Sequence, residues 1–191
     1  MRWPYTLIFK LLGWKVTGQF PHQLKKYIVA IAPHTSNWDF LVGVAARSIL
    51  RMKKTKFLGK SQLFKPPYGW VFRQLGGYPV ERSSRHDMVK QVADIINAHD
   101  HFVLAITPEG TRRKVDKLRT GFYFIAKAAK IPIIPVGFDY QKKEVIIGQP
   151  LYPEDDITRD FGKLNSFYTN ITGRNPSLGL SHPVNRIHDE V

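Results

Sequence analysis

Short apolar runs alternate along the chain with longer stretches of helical spacing. Lys26 to Ala32 (KYIVAIA) is a compact, β-branched run and predicts a buried strand. From Trp38 to Met52, apolar residues recur at helical intervals (Phe40, Leu41, Val44, Ala45, Ile49, Met52), which predicts a helix. Thr55 to Leu58 reads as a second strand. Pro66, Pro67 and Gly69 break the chain ahead of a short helix at Trp70 to Leu75, and Gly76-Gly77 leads into a strand near Tyr78 to Glu81. Ser83 or Ser84 caps a helix from Arg85 to Ala98 whose buried stripe is Met88, Val92, Ile95 and Ile96.

Phe102 to Thr107 (FVLAIT) is another buried strand, and Gly121 to Lys130 a helix. Ile131 to Phe138 (IPIIPVGF) is strand-like with two prolines, so it should be distorted or near an edge. Glu144 to Gly148 should pair with it through the turn at Tyr140 to Lys143. One helix fits within Glu154 to Ile171, and the chain from Gly173 on reads as irregular. Strands alternating with helices predict an α/β domain with a mixed, mostly parallel sheet flanked by helices. With no repeat, low-complexity tract or linker, residues 1–191 read as one domain.

Composition narrows the chemistry. A hydrophobic fraction of 43 % and a charged fraction of 23 % are those of a globular chain, not a disordered one. There is no cysteine, so disulfides, thiolate zinc sites and a cysteine nucleophile are excluded. Lys and Arg number 29 against 15 Asp and Glu, a net charge of +14. Such a surface calls for an anionic partner: nucleic acid, an anionic membrane or a phosphorylated substrate. No segment offers the roughly 20 mostly apolar residues that a membrane-spanning helix needs. Met1 to Phe20 is apolar and aromatic but interrupted by Arg2, Lys10 and Lys15, and it has no signal-type cleavage site. It reads either as a short helix lying in a membrane interface or as a helix packed on the core.

Three clusters can carry chemistry. Directly after the first buried strand comes Pro33-His34-Thr35-Ser36-Asn37-Trp38-Asp39. On a regular helix, five steps turn through roughly 500° and would separate His34 from Asp39. A strand-to-helix turn built on Thr35, Ser36 and Asn37 lets the aspartate reach back to the ring instead. A carboxylate on one imidazole nitrogen fixes the tautomer and leaves the other nitrogen to take a proton from an alcohol. Read alone, the same residues also fit a capping turn with an incidental histidine. After the strand Phe102 to Thr107 comes Pro108-Glu109-Gly110-Thr111-Arg112-Arg113-Lys114. Gly110 allows close backbone approach, Thr111 offers a hydroxyl and Arg112 a planar fork for phosphate oxygens, with Glu109 orienting the arginine or holding the loop. Lys60 and Arg82 are further cations, each at the end of a predicted strand.

Taken in order, His34-x4-Asp39, Gly59-Lys60-Ser61 with Gly76-Gly77 and Val80-x-Arg82, Pro108-Glu109-Gly110-Thr111-Arg112, and Ile131-Pro132-Ile133-Ile134-Pro135-Val136 resemble the glycerolipid acyltransferase family, in particular its 1-acylglycerol-3-phosphate acyltransferases. The resemblance spans residues 27–148. It implies a glycerol-3-phosphate acyltransferase-like fold and an O-acyl transfer from acyl carrier protein or coenzyme A thioesters, with no metal and no bound cofactor. It implies His34 as general base and Asp39 as its orienting partner. Glu109, Gly110, Thr111 and Arg112 would form the acceptor-phosphate site, with Lys60 and Arg82 in support, and the proline-bearing strand would wall the acyl chain. An acidic donor and an anionic membrane surface, at its cytoplasmic face, both suit the +14 charge. Another acceptor, such as an aminolipid, is the alternative within the same chemistry. A nucleic-acid-binding module is the alternative outside it, disfavoured because the cations are scattered and the best clusters sit on strand-ending loops sized for a small anion.

Overall fold

The fold, taken from a computed structural model, is described for residues 3–52, 55–74, 76–80, 85–116 and 118–179. In chain order the elements are α1 (Trp3–Leu11), β1 (Lys15–Thr17), β2 (Lys26–Ile31), α2 (Trp38–Ile49), β3 (Thr55–Lys60), a 3-10 turn (Ser61–Phe64) and α3 (Gly69–Gln74). They continue with β4 (Gly77–Val80), α4 (Arg85–Asn97), β5 (Phe102–Ile106), α5 (Gly121–Ala129), β6 (Ile133–Asp139), β7 (Glu144–Ile147), α6 (Ile157–Tyr168) and a second 3-10 turn (Pro176–Leu178). The strands form one sheet in the order β1-β7-β6-β2-β5-β3-β4. From β6 to β4 all neighbours are parallel, and β7 runs antiparallel to β6.

Strand alternation divides the core into two layers. Ile28 and Ala30 of β2, Leu104 of β5 and Ile133 of β6 face α4, α5 and α6, where Phe122, Tyr123, Phe161 and Leu164 close over them. Tyr27 and Val29 of β2, Val103 of β5 and Ile134, Val136 and Phe138 of β6 face α1 and α2. With both faces covered, the central strands read as nearly continuous apolar runs, which is why β2 and β5 were plain in the sequence. Each such Ile or Leu contributes ~1.5–3 kcal/mol by leaving water.

Two expectations need correcting. The proline-bearing strand is distorted but not at an edge: β6 lies between β7 and β2, buried along its whole length. Its pairing with β7 runs from Asp139↔Glu144 to Val136↔Ile147, but the next bridge is Ile133↔Leu151. The partner segment therefore carries one extra residue there, a bulge. Pro135 lies opposite it, its carbonyl accepting from Gly148 N–H at 2.8 Å, and a bulge is where a strand tolerates a residue with no N–H to donate. The N-terminal segment divides differently as well. Its helix stops at Leu11, and Lys15–Thr17 adds an edge strand beside β7. The core-packing reading holds for Phe9, which is buried, while Leu7, Ile8 and Leu11 face outward. No helix among the described residues is long and apolar enough to cross a membrane.

In a parallel sheet the loops leaving the strands' carboxyl ends share one edge. Here that edge carries the His34 turn after β2, the 3-10 turn after β3 and the Glu109 loop after β5.

Candidate active site

The turn after β2 is organised by Asp39 rather than by its nominal cap. Asn37 makes no side-chain capping bond. Instead Asp39 Oδ2 reaches back and accepts from Thr35 N–H at 2.9 Å and Ser36 N–H at 3.0 Å. The same oxygen lies 2.9 Å from His34 Nδ1. That contact is at hydrogen-bond distance but off the N–H axis, so Nδ1 has no well-aligned acceptor, as is common for catalytic hydrogen bonds at resting sites. The other carboxylate oxygen, Oδ1, accepts from the Tyr140 hydroxyl at 2.8 Å. Burial alone would push the Asp39 carboxyl up. The bonds from His34, Tyr140 and Ser36 outweigh it and hold the group below the usual carboxylate range, so it stays ionised beside the ring. Burial and the bond that Tyr140 donates to Asp39 together push the phenol well above its ordinary value, so it remains a donor.

His34 is anchored from the other side by a carboxylate far away in sequence. Its backbone N–H donates to both oxygens of Glu109, at 3.2 and 3.0 Å. Glu109 is 1 % exposed, and burial pushes its carboxyl up to about 7. Thr35 is buried too, and Asn175 ties it down: Asn175 N–H donates to Thr35 Oγ1 at 3.1 Å and Asn175 Nδ2 to Thr35 O at 2.8 Å. Arg174 lies over the Trp38 ring at 4.8 Å and the Tyr140 ring at 6.0 Å. With Nδ1 turned to Asp39, Nε2 is on the opposite side of the ring.

His34 and Asp39 line a cavity of about 830 Å³, within the range of small-molecule sites. Its walls are largely apolar: Val29 and Ile31 of β2, Phe57 and Leu58 of β3, Val136 and Phe138 of β6, Gly43 and Val44 of α2. Its polar lining includes Arg112 and Arg119. The loop after β5 is open. Gly110 has φ +65°, a conformation that favours glycine, and a Cβ there would lie 2.7 Å from Arg119 Nε. Arg112 and Arg113 are exposed, and Thr111 Oγ1 accepts from Arg113 N–H at 3.2 Å.

The family model "Acyltransferase" matches residues 14–139. The chain belongs to the acyltransferase family. It is 29 % identical over 138 residues to a 1-acyl-sn-glycerol-3-phosphate acyltransferase of Streptococcus pneumoniae, covering 67 % of this chain and 50 % of that one. It is 31 % identical over 133 residues to the protein of the same name from Escherichia coli, covering 66 % and 53 %. The chain thus spans about half the length of these curated relatives. Its fold is similar to the crystal structure of the 1-acyl-sn-glycerophosphate (LPA) acyltransferase PlsC from Thermotoga maritima, with a TM-score of 0.52 and 20 % identity over 82 % of this chain and 69 % of that one.

The expected site residues fall into three groups. His34, Asp39, Gly110 and Arg112 line one cavity. Glu109 stands at the same edge, but its carboxylate is turned to the His34 backbone rather than outward to a phosphate, so it fits the loop-holding role and not the phosphate-site one. Lys60 is the last residue of β3, at the same edge, although its side chain is not among those described, and Arg82 lies outside the described residues. The backbone N–H groups at the start of α2 have internal partners: Trp38 N–H donates to Ser36 Oγ, Asp39 N–H to Ser36 O and Phe40 N–H to Asn37 O. Sequence reasoning missed Arg119, whose only signal was a cation ten residues beyond Glu109. It also missed Tyr140 and Asn175, which meet the His34 turn from 101 and 140 residues away. Among the described residues, no group of three or more His, Asp or Glu could hold a metal ion.

Proposed function

We propose that this chain moves an acyl group from a thioester donor, on acyl carrier protein or coenzyme A, to the hydroxyl of 1-acylglycerol-3-phosphate at a membrane surface. The observation that carries this reading is the His34–Asp39 pair at 2.9 Å on the wall of an apolar cavity that also takes Arg112 and Arg119. A base, an acyl-sized apolar space and an anion site in one place match the three parts of that reaction. Relatives named for it support the choice of acceptor.

In the proposed step, His34 Nε2 removes the acceptor's hydroxyl proton as its oxygen attacks the thioester carbonyl. Asp39 stabilises the imidazolium that forms. The tetrahedral intermediate collapses, the C–S bond breaks, and the thiolate takes the proton from His34. The acceptor supplies the nucleophile, so no acyl-enzyme forms. Arg112 and Arg119 hold the acceptor phosphate, and the β6 wall lies along the acyl chain. The test is thiol release from acyl thioesters with and without lysophosphatidate. Acceptor-dependent release is expected. Release that ignores the acceptor would make the chain a thioesterase and defeat the reading.

A further inference from the structure

Several large apolar side chains are exposed close together in the chain just after β3. Leu63, Tyr68 and Trp70 are 45, 71 and 62 % exposed on the corner formed by the 3-10 turn after β3 and by α3. The corner is well braced. Phe64 is buried at its centre, 6.2 Å from the Phe72 ring, with the Arg73 guanidinium 5.5 Å above it. A Cβ at Gly69 would lie 2.1 Å from Phe64 O, and one at Gly77 2.7 Å from the Phe64 ring, so the backbone closes tightly around this residue. The outward rings are therefore presented by a packed knob.

The stretch of sequence that carries them is one-sided in charge. Between Asp39 and Glu81 there is no acidic residue, while Arg47, Arg51, Lys53, Lys54, Lys56, Lys60, Lys65 and Arg73 supply eight cations. Lys65 and Arg73 are exposed on the corner itself. Trp and Tyr rings favour the headgroup level of a bilayer, and Lys and Arg lay their stems along apolar surface while their charges reach lipid phosphates. A docking site for an acidic protein would need the cations but not the protruding aromatics.

Position supplies the third argument. The corner leaves the carboxyl end of β3, at the edge that carries the His34 turn and the Glu109 loop. Trp38, Phe40 and Leu41, in the first turn of α2, are exposed at that edge. The end of α1 is pinned there as well, through Lys143 Nζ donating to Leu12 O at 3.0 Å in the β6–β7 turn. Phe40 and Phe72 line the catalytic cavity, so α2 and α3 flank it. α1 exposes Leu7, Ile8 and Leu11, and interfacial binding grows with apolar area and with attraction to anionic lipid together. A second contact of both kinds would strengthen the attachment.

We propose that the corner spanning residues 61–74 is a second membrane contact, distinct from α1. Tyr68 and Trp70 sit at headgroup level and Lys65 and Arg73 on lipid phosphates, which sets the flank of the catalytic cavity against an anionic bilayer. This rests on the reading that the acceptor is a membrane lipid, but its test uses neither donor nor acceptor. The full chain would be co-sedimented with phosphatidylcholine vesicles, pure or containing about one third phosphatidylglycerol. Wild type should favour the anionic vesicles. The double variant Tyr68→Ser/Trp70→Ser should bind both kinds about tenfold or more weakly, with its melting temperature unchanged. Lys65→Glu should weaken anionic binding alone, and Leu11→Ser/Leu12→Ser should multiply the loss. Unaltered vesicle binding by a folded double variant would overturn the proposal. So would weakened binding to acyl carrier protein with vesicle binding intact, which would make the corner a carrier dock.

Discussion

The His34 turn and the Gly110–Arg113 loop leave neighbouring strands at the same edge of the sheet and are built in opposite ways. In the turn, Asp39 is held by two backbone N–H groups and a phenol, the His34 backbone by Glu109, and Thr35 by Asn175, all in a largely buried setting. In the loop the bonds are local, Gly110 N–H to Thr107 O and Arg113 N–H to Thr111 Oγ1, and Arg112 and Arg113 are exposed. The difference matches the roles proposed for each. A general base works only when its nitrogen is held within a fraction of an ångström of the proton it takes, so its surroundings must be fixed beforehand. A phosphate can be met by long cationic side chains that settle after it arrives.

The strongest way to break this contrast is Asp39→Asn. An amide cannot accept from Thr35, Ser36, Tyr140 and the imidazole together, so the tautomer and the turn both suffer. The expected loss is about 10²–10³-fold in kcat, measured by thiol release with circular dichroism as the check on folding. A loss confined to KM would mean that the aspartate serves binding instead.

Glu109 tests the buried side of the turn through pH. Its carboxyl rises from an ordinary 4.5 to about 7 in the fold, so between those values the native state binds more protons than the unfolded state. Stability should therefore fall as pH rises through that window, by ~3 kcal/mol in all. Asp39 acts in the opposite sense: its lowered value gives stability that is present above the ordinary 3.8 and lost only on the acid side of it. Urea denaturation from pH 5 to 8 should show the decline in wild type and a flatter profile in Glu109→Gln. Parallel profiles would place the titration elsewhere.

Smaller effects sharpen the picture. Arg112→Ala should raise the KM for the phosphorylated acceptor about tenfold and leave kcat nearly unchanged, the signature of uniform binding. Equal losses with a phosphate-free acceptor would remove its assigned role. Tyr140→Phe keeps the ring beside Trp14 (centroids 5.0 Å apart) and removes only the bond to Asp39. It should cost a few-fold in kcat with acceptor KM unmoved, because the phenol acts on Asp39 and not on substrate. A change in KM alone would contradict that positioning role.

What could be read from the sequence was what local pattern carries. Buried strands β2 and β5 stand out as apolar runs, and the His34–Asp39 pair follows from a strand-to-helix turn five residues long. Residues whose part depends on distant chain were hidden. Nothing in Pro108-Glu109-Gly110 says that the glutamate turns inward to a backbone N–H 75 residues earlier. Tyr140 and Asn175 look like ordinary turn residues until the fold lays them over the His34 turn. Three-residue β1 is too short to show a period of two, and the bulge that admits Pro135 is a property of pairing with Gly148 to Leu151, not of the strand itself.

The central claim is that His34 takes the acceptor's proton, with Asp39 behind it. The most direct measurement is acceptor-dependent thiol release by wild type and His34→Ala, using long-chain acyl thioesters of acyl carrier protein and of coenzyme A with lysophosphatidate. The account predicts release that requires lysophosphatidate and falls about 10³-fold or more in the variant while its fold is retained. Wild-type turnover in His34→Ala would contradict it.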